Sequence, residues 1–379
     1  MRETEIRRLI VEEFLEFVED PRVERTRKHP LETILVVSLL AVLSGADSFV
    51  AIESYAKIKR DWLASFLDLS AGIPSHDTIG RVFAALDCKA LAEAFRRWTL
   101  AMATSSREKL IAIDGKTLRR SFKHAGDNAF VHMVSAWSAS NRVVLGQVKT
   151  NEKSNEITAI PELLDLIDVK RAIVTIDAAG TQTAIADKIV DKGGDYLLAV
   201  KGNQATLYHA LIEHFCDAEN ERHRFDFCET QDHGHGRDEI RRAWVSHAVD
   251  DINTAERWRS LTTLVRIESL RTIKGEQSSE YRFYISSRRE LSAKQALAAA
   301  RGHWGIENGL HWVLDVAFHE DDCRVRAGNA AANFSALRQL ALGLLKQRTE
   351  TKVGIKIRRQ HAGWDNQFLL RVIGISSEV

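Results

Sequence analysis

The sequence predicts a mixed α/β protein, with a helix-covered sheet following an all-α region and a β-rich stretch in the second half. Three observations carry this. Up to about residue 105, apolar residues recur at three- and four-residue spacing. From residue 110 the pattern changes to short apolar runs in the order strand, strand, strand, helix, strand, helix, strand, which a mixed sheet flanked by helices explains. A polar stretch with period-two alternation follows, and the chain turns helical again at Ser292.

In the first region Leu35, Leu39, Leu40 and Leu43 share one helical face, as do Trp62, Phe66 and Leu69. Ser75 is placed to cap a helix carrying Ile79, Val82, Phe83 and Leu86. His76, Thr78 and Arg81 on its polar side would suit a recognition helix, but a helix of an all-α bundle is the plainer reading. Leu110 to Ile113, Val131 to Trp137 and Val143 to Val148 read as strands, the last two a hairpin turning at Asn141. Ile157 to Ile167 and Thr183 to Val190 read as helices, Ala172 to Ile176 and Tyr196 to Val200 as buried strands. Arg224 to His247 alternates, Leu261 to Ile267 and Tyr281 to Ser286 are strands, and helices run from Ser292 through Ala317 and from Ala330 to Lys346.

At 379 residues the chain exceeds the usual size of a single core. Its 45% hydrophobic and 28% charged content, with 4 Pro, argues against long disordered segments. The longest apolar run, Ile34 to Leu43, is too short to span a bilayer, and the charged first residues do not resemble a signal peptide, so a cytoplasmic, nucleoid-associated protein is expected. Cys88, Cys216, Cys228 and Cys323 form no CxxC pair and read as reduced thiols. A net charge of +1 does not announce a nucleic-acid partner, but the basic residues cluster between Arg107 and Lys123 and between Lys346 and Asp365.

Two apolar strands end alike: Ile111-Ala112-Ile113 runs into Asp114-Gly115-Lys116, and Val174-Thr175-Ile176 into Asp177-Ala178-Ala179-Gly180. A carboxylate there must be paired, hydrogen-bonded or on a metal, and the glycine after Asp114 permits a sharp exit and close backbone approach. Glu307 opens a helix whose Ile306, Leu310, Val313 and Leu314 make an apolar face; flanked by Trp304 and Leu310, it should point partly inward. Three carboxylates can hold two divalent cations, and magnesium favours such oxygen ligands. A cation pair can activate the attacking oxygen and stabilise the leaving one in phosphoryl transfer.

Five stretches make the sequence resemble the DDE transposases of insertion sequences, specifically the H-repeat-associated group: AIDGKTLRRS (112–121), TIDAAGTQTAIADKIVDKGGDYLLAVKGNQ (175–204), HGRDEIR (235–241), RFYISS (282–287) and HWGIENGLHWVLDVAFHEDDCRVRAGNAAANFSALRQLALGLLK (303–346). The resemblance implies an RNase H-like fold, catalytic and metal-binding roles for Asp114, Asp177 and Glu307, and a β-rich insertion between the last core strand and the glutamate helix. Residues 1–105 would be a helical DNA-binding region, 106–350 the catalytic domain with its insertion at about 216–290, and 351–379 a basic C-terminal tail. Two departures stand out. Arg119-Arg120 stands where many relatives have Arg-Gly, and the Tyr, Arg and Lys of the wider superfamily's Y-x2-R-x3-E-x6-K pattern are replaced by Ala300, His303 and Leu314.

On this reading the enzyme depends on Mg2+, with Mn2+ as substitute, and works as a homodimer on double-stranded DNA, its own terminal inverted repeats and the target. Candidate DNA contacts are Lys116, Arg119, Lys201, Asn203, His235, Arg237, Arg241, His303 and Arg326, with His235, Arg237, Glu239 and Arg241 sharing one face of a DNA-facing hairpin. Asp315, Glu320, Asp321 and Asp322 read as cap and turn residues, Asp315 being a candidate fourth acid. Cys228, His233 and His235 as zinc ligands lack a fourth partner at finger-like spacing. The rival functions are an RNase H-like nuclease or resolvase that cuts without joining, and a domesticated DNA-binding protein without catalysis. The three intact acids count against the second.

Overall fold

Residues 18–102, 109–121, 131–150, 156–218, 220, 222–234 and 236–374 are described by a computed structural model. The leading helices are α1 (Leu31–Leu43), α2 (Phe49–Ile58), α3 (Arg60–Ala64), α4 (His76–Ala85) and α5 (Cys88–Met102). α1 is buried on all sides from Thr33 to Leu43, which explains its unbroken apolar run: it is a core helix with no solvent face. No described helix is long and apolar enough to cross a membrane. Ser75 caps α4 as expected, its hydroxyl accepting from the Thr78 N–H at 3.3 Å.

The sheet region comprises β1 (Lys109–Leu118), β2 (Val131–Ser138), β3 (Val143–Lys149), α6 (Glu156–Leu166), β4 (Ala172–Ile176), α7 (Thr183–Asp191), β5 (Asp195–Val200) and α8 (Ala205–His214). It continues with β6 (Asp226–Gly234), β7 (Arg237–Ser246), β8 (Thr263–Ile273) and β9 (Glu276–Ser286). Among the described residues, nine strands form one sheet in the order β3-β2-β1-β4-β5-β9-β8-β7-β6. β1, β4 and β5 are parallel, while β2 and β3 turn back antiparallel, the RNase H-like arrangement expected of the first five strands. β9 pairs antiparallel with β5, so the β-rich segment extends the core sheet. Its outer hairpin closes at Lys274-Gly275, both at positive φ, as a tight two-residue turn requires.

The chain then forms α9 (Ala293–Ile306), a π-helical turn (Glu307–His311), α10 (Trp312–Phe318), α11 (Ala330–Lys346), α12 (Ile355–Trp364) and α13 (Asn366–Val372). α6 and α7 cover one sheet face, packing Ile160, Leu163 and Ile185 with Ile111, Ile113, Val174 and Ile176. On the opposite face Ala112 and Trp137 join a core shared by α1 to α5 and by Ile306, Leu310, Leu314, Phe334, Leu337 and Leu369.

That shared core changes the expected layout at both ends. Among the described residues, the helices before residue 105 share their core with the C-terminal helices, and the Asn333 amide, from α11, donates to the Phe83 and Leu86 carbonyls at 2.8 and 3.0 Å. The described part of 351–379 is helical and packed instead of forming a basic tail. Arg359, counted in the sequence as part of a basic run, is buried, donates to the Val42 carbonyl at the end of α1 and pairs with Asp47 at 2.7 Å. Apolar residues at Phe368, Leu369, Leu370 and Val372 supply the burial that a charge count alone does not reveal.

Candidate active site

The pairing of β1 with β4 is parallel and in register from Lys109–Ala172 to Ile113–Ile176. Asp114 and Asp177 are the next residues on each strand, so they emerge side by side on the same face, about 4.8 Å apart across the ladder. β4 ends at this point but β1 does not: it continues to Leu118, with Asp114 paired to Ser135 of β2. The sharp exit expected at Gly115 is therefore absent. The close approach is real, since a β-carbon at Gly115 would run into the Glu156 carboxylate and the His132 ring, which contact each other at 2.8 Å. At the second acid, the Gly180 N–H donates to Asp177 Oδ1 at 3.1 Å.

α9 lies over this face and runs along the strands. Its Gly302 sits against Leu110, where a β-carbon would clash, and His303 Nδ1 is 3.1 Å from the Thr175 hydroxyl. Glu307 is one helical turn beyond His303, just as Asp177 lies beyond Thr175. Glu307 is largely exposed while Ile306, Leu310 and Leu314 take the buried positions, and Asp177 lies near enough to act on its carboxyl.

The π-helical turn begins at Glu307 and gave no signal in the sequence. In a regular helix of 3.6 residues per turn, a four-residue stripe drifts by about 40° at each step. The wider turn offsets that drift and keeps His303, Glu307, His311 and Asp315 on the strand-facing side. His311 Nδ1 lies 3.4 Å from Asp114 Oδ2, and Asp315 pairs with Lys116.

The electrostatics show the acids acting on one another. Burial, with Asp177, Glu156 and Glu307 nearby, pushes the Asp114 carboxyl up to about 7 against the Gly115 N–H. Partial burial raises Glu307, Arg282 lowers it and Asp177 raises it. Burial pulls His303 down, opposed by Asp177, and lowers His311 to about 4, with the Lys116 charge acting in the same direction. His311 is thus a site residue that the sequence did not single out, its spacing from Glu307 being the one signal, while His132 and Glu156 pack beside Gly115.

Several candidate DNA contacts are engaged elsewhere. Lys116 is nearly enclosed, paired with Asp315 and, at 3.1 Å, with the buried Glu320; it is a structural cation unavailable to phosphate. Arg119 and Arg120 stand 3.3 Å from Asp321 and Asp322 respectively, so the acidic cluster supplies counter-ions, and Asp315 serves Lys116 instead of acting as a fourth acid. His303 faces the sheet, and the Asn203 amide donates to the Ala178 carbonyl at 2.6 Å, pinning the loop after Asp177. Lys201 is exposed beside it.

The expected single face at 235–241 is interrupted by a turn with Gly236 at positive φ. His235 lies outside the described residues. Arg241 is held by Asp232 at 2.6 Å and by the buried Glu239 at 2.5 Å, while Arg237 remains half-exposed. Arg326 donates to the Arg120 carbonyl at 3.0 Å. His233 pairs with Asp238 at 2.6 Å.

Among the described residues no three His, Cys, Asp or Glu side chains converge into a formed metal cage, at the acids or at Cys228 and His233. The acids' donor set still fits a hard divalent cation: all ligands are carboxylate oxygens, and the burial of Asp114, with the neighbouring acids adding to it, is a cost that such a charge would relieve.

Residues 105–344 match the family described as "Transposase DDE domain", and residues 12–99 match "DDE_Tnp_1-associated". The chain is 42% identical to "Putative transposase YncI" of Escherichia coli O157:H7 over 97% of its own length and 95% of the relative's. It is 40% identical to "H repeat-associated putative transposase YhhI" of Escherichia coli K12, covering 95% and 97%. A cryo-EM structure of a piggyBac transposase synaptic complex with hairpin DNA aligns with TM-score 0.46 and 10% identity over 99% of this chain and 82% of that one.

Proposed function

The chain belongs to the DDE transposases, a family of DNA-cutting and DNA-joining enzymes, and from that premise we propose that Asp114, Asp177 and Glu307 perform this chemistry at the terminal inverted repeats of an insertion sequence. The observation that carries the assignment is the register of β1 and β4, which delivers two carboxylates side by side beneath the helix bearing the third.

Bound Mg2+, with Mn2+ as substitute, would supply Lewis acidity and an activated attacking oxygen for in-line phosphoryl transfer. The protein's own residues do the positioning. Rigid strands set Asp114 and Asp177, and the Gly180 N–H orients the Asp177 carboxylate. His303 fixes α9 against β4, and the Arg282 charge helps keep Glu307 ionised. Water first attacks a phosphodiester at the element's end and breaks its P–O3′ bond, leaving a 5′-phosphate and a 3′-hydroxyl. That hydroxyl, or one opposed to it, then attacks a target phosphodiester by direct transesterification, and the target's own 3′-oxygen leaves as a hydroxyl.

Arg119, Lys201, Arg237 and Arg326 are the residues of the original set best placed to meet phosphates. Repeat recognition falls to the N-terminal helices together with the β6–β9 segment, and a homodimer brings two ends together. Incubating the purified protein with duplexes carrying its element ends and magnesium, then mapping every cut and joined strand, tests the proposal. Cutting without joining would mark a nuclease instead.

A further inference from the structure

On the side of α9 away from the β6–β9 segment lies a cleft of about 660 Å³, lined by Arg142, Lys346, Lys352 and Arg358 and by the glycines Gly302, Gly305 and Gly309. No Asp or Glu lines it among the described residues. Arg142 comes from the β2–β3 turn, Lys346 from the end of α11, and Lys352 from the loop before α12. Three separate segments therefore bring cations to one concavity. Arg358 is committed to the carbonyls of Leu345, Thr351 and Val353 and holds that loop in place.

Lys346 is the unusual member. Its ammonium lies 4.5 Å over the Trp137 ring and donates to the Gly309 carbonyl. Burial, with Arg142 and Arg358 nearby, lowers it to about 8. A buried ammonium whose charged neighbours are cations is stabilised by an anion entering the cleft. The floor is suited to close approach, since Gly305 presents no side chain and a β-carbon there would meet only Trp137 Nε1, at 3.9 Å.

The cleft also has a position relative to the acids. Gly305 and Asn308 line both this cleft and a second one of about 520 Å³, walled by Arg237, Arg241, Arg271, Arg282 and Arg301. Gly305 and Asn308 flank Glu307 in sequence, so the two clefts adjoin across α9 where that helix runs into the Glu307 turn, although Glu307 lines neither.

We propose that the cleft of Arg142, Lys346 and Lys352 is a phosphate-binding site that grips the backbone of the DNA duplex engaged at the acids. This rests on the reading of the chain as a DNA-cutting enzyme, and it joins Arg142, which the sequence did not single out, to Lys346 and Lys352 of the basic run that begins at Lys346. The contact is with backbone phosphate, so it is independent of base sequence and sensitive to salt.

Binding of the full chain to a labelled DNA duplex of arbitrary sequence, measured between roughly 0.05 and 0.2 M salt, tests it. Each phosphate contact contributes about 0.9 to the slope of log affinity against log salt. Arg142→Glu/Lys352→Glu is expected to lower the slope by about two and weaken binding at least tenfold. Lys170→Glu/Arg171→Glu, the same charge change at the opposite end of β4, is expected to leave both unchanged. Lys346→Met, which keeps a packed stem on Trp137, lowers the slope by about one, with a melting curve confirming the fold. A cleft variant indistinguishable from the control overturns the proposal. Carrying the pairs in an Asp177→Asn background separates the two readings: an unchanged slope with intact wild-type cleavage removes the cleft and leaves the acids standing, whereas a reduced slope without wild-type cleavage does the reverse.

Discussion

The His303 imidazole stands 3.1 Å from the Thr175 hydroxyl, and this contact joins the helix that carries Glu307 to the strand that carries Asp177. Each acid lies just beyond its side of the contact, so a polar pair behind the site sets the distance across it. His303→Ala and Thr175→Val are each expected to cut the cleavage rate by about 10- to 100-fold and raise the metal concentration needed, with DNA binding unchanged. His303→Asn, which can still hydrogen-bond, should recover part of the loss. Loss of binding at an unchanged rate would instead make His303 a DNA contact.

Lys116 is expected to behave as a structural cation. Removing it leaves Glu320 buried without that partner, so Lys116→Met should destabilise the fold by about 3–5 kcal/mol. Lys116→Met/Glu320→Gln should regain much of this. Thermal melts of the two variants decide the matter, and a Lys116→Met protein with wild-type stability would refute the buried pairing.

The chain's ends are expected to fold together. Removing α12 and α13 uncovers the core of α1 and deletes Arg359 from the Val42 carbonyl, so a chain ending near residue 351 should aggregate or melt far below the full protein. Residues 1–105 alone should lack a cooperative transition by circular dichroism. A cooperative melt of that fragment would restore the separate N-terminal domain.

Metal binding should depend on pH. Because Asp114 is raised to about 7, its proton competes with a cation below that value, and affinity should rise with pH through neutrality, by up to about tenfold per unit on the acid side. Mg2+ and Mn2+ should support cleavage, and Ca2+ should support end binding without chemistry. Calorimetric titration across pH, with elemental analysis of the purified chain, checks both. Bound zinc, with activity that magnesium cannot restore after chelation, would contradict the carboxylate site.

The apolar runs at Ile111 to Ile113 and Val174 to Ile176 announced their strands because buried parallel strands need continuous apolar sequence. Register was not readable there: nothing in either run says that Ile113 faces Ile176. The outer half of β9 escaped notice because both its faces are polar, and that of β8 because Leu270 and Ile273 fall on opposite faces and set up no alternation, leaving only the Lys274-Gly275 turn as a signal. Charge identity misled at Lys116, Arg241 and Arg359, since a cation paired in the fold reads the same in sequence as one awaiting phosphate. The π-helical turn at Glu307 leaves no composition to read, although it decides which way the helix's polar stripe faces.

The central claim is that Asp114, Asp177 and Glu307 form one catalytic cluster. Asp114→Asn, Asp177→Asn and Glu307→Gln, assayed for strand cleavage on element-end duplexes with magnesium, test it most directly. Each is expected to lose at least roughly a thousandfold in rate, corresponding to several kcal/mol of transition-state stabilisation, while melting and binding DNA like the wild type. Near-normal cleavage by any one of the three would remove that residue from the cluster and contradict the account.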